Sequence, residues 1–171
     1  MFDPTVFENI KVAIENYVYD LDNISGEVDI TNRMDRLELS VMSREFRLQF
    51  SLATYKEITA EIVLQASLKD LADEILEVPG ESPGCSLFVR YMLKVEDIEN
   101  ECNQIDAIIS KIWDPVLPPI QTLRFDYGKD DHLYHNTIEL SFPHKINEEQ
   151  MKDIPEFIDH VLKTLGELQY G

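Results

Sequence analysis

Between Leu37 and Ala66, apolar and polar side chains alternate in three consecutive runs: Leu37, Leu39 and Val41; then Phe46, Leu48, Phe50 and Leu52; then Ile58, Ala60, Ile62 and Leu64. The intervening positions, among them Glu38, Arg47, Gln49, Glu61 and Gln65, are polar. Successive side chains of a strand point to opposite faces, so a period of two marks strands with one dry and one wet face. The breaks at Ser43-Arg44 and Thr54-Tyr55-Lys56 leave room only for hairpins, which predicts an antiparallel meander. A further short edge strand is expected over Glu27 to Thr31, where Val28 and Ile30 alternate with Glu27 and Asp29.

Helical spacing appears on either side of this block. From Asp3 to Asp20 the apolar residues Val6, Phe7, Ile10, Ala13, Ile14 and Tyr17 recur at three and four, with Asp3 as cap and Pro4 in the first turn. Ser67-Leu68-Lys69-Asp70 has the form of a capping box with Asp in place of Glu, and Leu68, Leu71, Ala72, Ile75 and Leu76 follow at helical spacing. Two Pro and two Gly in Val78 to Gly84 predict a loop. Cys85 to Val95 is apolar on both faces and is expected inside the sheet. A helix over Glu96 to Trp113 carries Ile98, Cys102, Ile105, Ile109, Ile112 and Trp113 on one side and ends at Asp114-Pro115. Strands follow at Ile120 to Tyr127 and Thr137 to Phe142. The final helix starts near Ile154, with Asp153 available to cap and a stripe of Phe157, Ile158, Val161, Leu162, Leu165 and Leu168.

These elements predict an α+β protein, an antiparallel or mixed sheet with its helices packed mainly on one face. The 171 residues suit one domain, 1–171, divisible into weaker halves 1–78 and 85–171 by the Pro/Gly loop. Leu37-Glu38-Leu39-Ser40 resembles Ile138-Glu139-Leu140-Ser141, a string too short to establish duplication.

Charge narrows the partners. Fifteen basic against 33 acidic side chains give a formal charge of −18, which repels phosphate backbones and anionic headgroups. Neither nucleic acid nor membrane is expected as a partner. A protein partner, basic where it meets the acids, is expected instead. No apolar run approaches the ~20 residues of a membrane span. The start Met1-Phe2-Asp3-Pro4 shows neither the basic segment nor the apolar stretch of an export signal. Cys85 and Cys102, without a CxxC, read as reduced core thiols, and the cytoplasm is the expected location.

Candidate chemistry is sparse. Asp126 to Asn136 holds three Asp and two His near a hairpin tip, and Asp130, His132 and His135 are the candidate ligands for a divalent transition metal. Residues three apart on a strand face opposite sides, which argues against a ready-made site. Asp20 to Gly26 starts like a calcium loop, but Ile24, Ser25 and Thr31 stand where the motif needs a ligand, Gly and Glu. Cys85 and Ser86 follow Gly84 without a GxSxG elbow, and His144 and His160 read as surface histidines. No catalytic residue and no cofactor is assigned.

The layout of helix, three strands, helix, strand, helix, two strands and helix in a small acidic chain resembles that of small acidic secretion chaperones and related dimeric α+β proteins. The helix over 96–113 is additional to that layout, and no residue motif carries the likeness. The expected function is non-enzymatic, through protein contacts of a homodimer; the alternative is a metal-binding protein or metal-dependent enzyme using Asp126 to His135.

Overall fold

A computed structural model describes residues 5–76, 84–113 and 118–170. In chain order these form α1 (Thr5–Asn23), β1 (Val28–Glu38), β2 (Ser43–Leu52), β3 (Tyr55–Ala66), α2 (Leu68–Leu76), β4 (Ser86–Val95), α3 (Ile98–Trp113), β5 (Ile120–Arg124), β6 (Tyr134–Ser141), a 3₁₀ helix (Glu148–Asp153) and α4 (Ile154–Tyr170). The strands make one antiparallel sheet in the order β1-β2-β3-β4-β6-β5. It runs unbroken across the two halves of the chain, because β3 pairs directly with β4.

The alternating positions explain the layering. Phe46, Leu48 and Phe50 on β2, Ile58, Ala60, Ile62 and Leu64 on β3, Leu87, Val89 and Tyr91 on β4, and Ile138 and Leu140 on β6 share one face. They form a single buried cluster with Phe7, Ile10, Ile14 and Val18 of α1, Leu71 of α2, Ile105 and Ile109 of α3, and Ile158, Val161 and Leu165 of α4. All four helices thus cover the same side, as the sequence predicts. The opposite face has no described helix over it.

Helix boundaries follow local chemistry. Ser67 and Asp70 form the expected reciprocal cap: the Ser67 amide donates to Asp70 Oδ2 at 2.9 Å, and the Asp70 amide donates to Ser67 Oγ at 3.2 Å. Gly26 follows α1 in the left-handed region, at φ 70°. The approach to α4 differs from expectation, because Asn147, not Asp153, is the cap. Its side chain opens the 3₁₀ helix through a box with Gln150, and α4 continues directly from that turn. The expected caps Asp3 and Pro4, nearly all of the Val78 to Gly84 loop, and Asp114-Pro115 lie outside the described residues.

The first strand departs most from the hydrophobic pattern. Leu37, Leu39 and Val41 do not form a strand of their own. Val28 to Glu38 is one long edge strand, Glu38 pairs with Ser43, and the intervening residues turn through Met42 at φ 50°. Leu39 and Val41 are accordingly 71% and 58% exposed. Charge, not apolar alternation, holds the β1 edge. Arg33 lies over the Phe46 ring at 5.5 Å and pairs with Glu15 at 2.9 Å, and Asp35 is bound by Lys11 at 2.8 Å and Arg44 at 3.1 Å. A charged, bulged edge strand also resists pairing with other chains. Similarly, β5 stops at Arg124, so Phe125 and Tyr127 are exposed. The two similar tetrapeptides sit in unlike places, one spanning the β1–β2 turn and the other inside β6.

Gly84 shapes the junction after the loop. A Cβ there would come within 2.8 Å of the Ile146 carbonyl and 2.9 Å of Lys145 Cβ, where Cys85 and Ile146 exchange both backbone hydrogen bonds. Gly84→Ala is expected to cost about 1–2 kcal/mol through this overpacking. Urea unfolding of the variant, with an unchanged slope, checks it.

Candidate functional site

The face left open by the helices is the candidate site. Cross-strand pairing places on it Glu38 and Arg36 of β1; Glu45, Arg47 and Gln49 of β2; Thr59, Glu61, Val63 and Gln65 of β3; Phe88, Arg90, Met92 and Lys94 of β4; His135, Thr137 and Glu139 of β6; and Thr122 and Arg124 of β5. Apart from Val63, Phe88 and Met92, these are polar positions of the strands. The structure joins eight of them into a network of two clusters.

Two carboxylates are its hubs. Glu45 accepts from Arg36 at 2.9 Å, Arg47 at 3.2 Å and Gln65 at 2.7 Å. Burial pushes its carboxyl up, but the Gln65 hydrogen bond and the Arg47 and Arg36 charges outweigh that and hold it below the usual range. Glu61 accepts from Gln49 at 2.6 Å and from Arg90 at 3.0 Å, and Arg90 reaches on to Glu139 at 3.3 Å. Although nothing described covers this face, Glu45 and Glu61 are only 8% and 4% exposed. Long neighbouring side chains shield them, and between them lie the apolar Met34, Val63 and Phe88, with Met92 beyond Glu61.

The face is balanced in charge. Glu38, Glu45, Glu57, Glu61 and Glu139 stand against Arg36, Arg47, Arg90, Lys94 and Arg124, and Asp29 at the far end of β1 pairs with Lys56 at 2.7 Å. The formal charge of −18 is therefore carried by the rest of the chain. Much of it lies on the helices, as with Glu99, Glu101 and Asp106 on α3 and Glu156, Asp159 and Glu167 on α4.

Two clefts mark opposite ends of the face. At the β1–β2 end, a cleft of about 390 Å³ is lined by Arg36, Glu45, Arg47, Gln65, Asp70 and Lys145, among others. Its cations are already paired: Arg36 and Arg47 with Glu45, and Lys145 with Asp70. At the β5–β6 end, a cleft of about 430 Å³ is lined by Lys94, Arg124, His135, Thr122 and Thr137 with Glu57 and Met92.

His135 is the one metal-ligand candidate on the open face. Its cross-strand neighbours there are Lys94 and Arg124, whose charges oppose a cation. Asp130 and His132 lie exposed in the loop before β6, His132 at φ 53°. Among the described residues no group of three or more His, Cys, Asp or Glu side chains is arranged to hold a metal ion. Asp22, from the calcium-like stretch, instead accepts the Ile30 amide at 3.0 Å. Cys85 is buried, and burial, with Glu74 adding to it, pushes its thiol up to about 12, far from a nucleophile's range. Both cysteines are free thiols.

Sequence reasoning missed Lys94 and Arg124. The signal available was position: each is a basic residue on the polar side of a predicted strand. Comparison with models of protein families, with curated proteins and with solved structures found no match.

Proposed function

We propose that this protein acts without catalysis, through protein contacts, as a homodimer whose two copies meet by the open faces of their sheets. The observation that carries the reading is the charge-balanced, uncovered face of a chain at −18. Two such polyanions repel wherever their acids meet, so self-association favours a surface on which charge cancels.

Two further features support it. The Glu45 and Glu61 carboxylates are already nearly dry, so covering them adds little desolvation cost on the acidic side of each pair, and Met34, Phe88 and Met92 supply apolar contact. The strand lengths and spacings give the face on the order of 900 Å², against about 800 Å² per partner in a standard interface. A dimer built this way turns its acidic helical layers outward, where a basic segment of another protein would be drawn. The free thiols suit the reducing cytoplasm, and no helix of the described residues is long and apolar enough to cross a membrane.

Sedimentation equilibrium tests the reading. The expected mass is twice the 19.8 kDa of the chain. It should fall toward the single-chain value when Met34→Arg and Thr59→Arg place unmatched charge on the open face, and stay doubled when the same change is made at Glu167 on α4. A monomeric wild type, or dimerisation lost only through helix-face substitutions, would overturn it.

A further inference from the structure

We infer that the cleft at the β5–β6 end of the open face binds a small organic anion through a phosphate or carboxylate group. Lys94 of β4, His135 of β6 and Arg124 of β5 stand side by side in one cross-strand row. Lys94 and Arg124 flank His135 from the two neighbouring strands, roughly 10 Å apart, and among the described residues no bonded carboxylate cancels either charge. A chain with 33 acidic and 15 basic side chains has ample means of avoiding such a row. It does avoid it elsewhere on the face, where Arg36, Arg47 and Arg90 are each paired with glutamate. Among the described residues Lys94 and Arg124 make no ion pair and His135 no hydrogen bond.

The lining chemistry selects the ligand. An ammonium and a guanidinium offer only donors, and the adjoining row adds the hydroxyls of Thr122 and Thr137. A donor-rich surface is satisfied by a group that only accepts, which is an ionised oxyanion. The cleft, about 430 Å³, is of small-ligand size, and Met92 gives it an apolar wall for the ligand's carbon part. Glu57, on the far side of Lys94, repels a second anionic group and so leaves the oxyanion to the His135 and Arg124 end. The site lies at the margin of the docking face and is complete within one chain, so a monomer would bind as well as a dimer.

Amide-shift titration of the full chain by NMR tests this, with inorganic phosphate and succinate as probes and chloride at equal ionic strength as control. Saturable shifts are expected at Thr122, Lys94 and His135. The apparent affinity should fall at least about tenfold in the Lys94→Ala/Arg124→Ala double variant and stay unchanged in Lys163→Ala, at an exposed lysine of α4. Saturation by phosphate alone assigns a phosphoryl ligand; saturation by both probes extends the class to carboxylates. A second readout is thermal: the double variant should melt no lower than the wild type, and phosphate should raise the melting point of the wild type only. Shifts that chloride reproduces, shifts that persist in the double variant, or a double variant that melts lower while phosphate stabilises both proteins equally would overturn the assignment.

Discussion

Phe46→Ala is expected to destabilise the protein by about 3–5 kcal/mol, whereas Leu39→Ala should cost less than about 0.5 kcal/mol. The two residues look alike in the sequence, each an apolar position in an alternating run. In the structure Phe46 is fully buried between β2 and the helical layer, and Leu39 lies in the β1–β2 turn. Truncating Phe46 removes a ring from a close-packed cluster and leaves a cavity, while truncating Leu39 removes a side chain already in water. Paired urea titrations measure the contrast. Equal losses would mean that Leu39 continues a buried strand and that the open face begins elsewhere.

Arg44→Ala is the second large effect, expected at about 2–3 kcal/mol near neutral pH. Its guanidinium reaches Glu8 at 2.8 Å and Asp35 at 3.1 Å, stacks over the Phe7 ring at 4.6 Å, and is 15% exposed. Burial pushes the Glu8 and Asp35 carboxyls up, but hydrogen bonds and charges from Lys11 and Arg44 more than offset this and hold both below their ordinary values. A carboxylate with a depressed folded-state pKa contributes stability above its unfolded pKa and loses it as pH falls through the folded one. The gap between wild type and variant should therefore be full at neutral pH and narrow on acidification below the usual carboxylate range. A remainder from the lost stacking on Phe7 should persist at every pH. A gap that widens in acid would contradict this assignment.

The layered architecture was legible because burial writes itself into the chain at periods of two and near four. Phe46 to Leu64 and Ile158 to Leu168 could hardly pack otherwise, and Ser67 with Asp70 announces the start of α2 through local hydrogen bonding. The edge strand β1 was not legible over most of its length. Asn32 to Arg36 has charge on both faces, and what holds it there are side chains of other elements: Lys11 and Glu15 of α1, and Arg44 and Glu45 of β2. The hairpin turn misled because its leucine and valine are exposed despite their apolar character. Charge balance across the open face is a property of two dimensions, since Lys94, Arg124 and His135 become neighbours only when β4, β6 and β5 pair. Composition showed a uniform acidic excess where the fold separates a neutral face from an acidic one.

Cross-saturation NMR on a mixed dimer, one copy protonated and the other deuterated and amide-labelled, tests the central claim most directly. Irradiating the protonated copy should attenuate amides along β2, β3 and β4, at Gln49, Glu61 and Arg90 among others, and leave those of α1 and α4 at full intensity. Attenuation confined to helical amides, or none at any residue, would contradict association through the open face of the sheet.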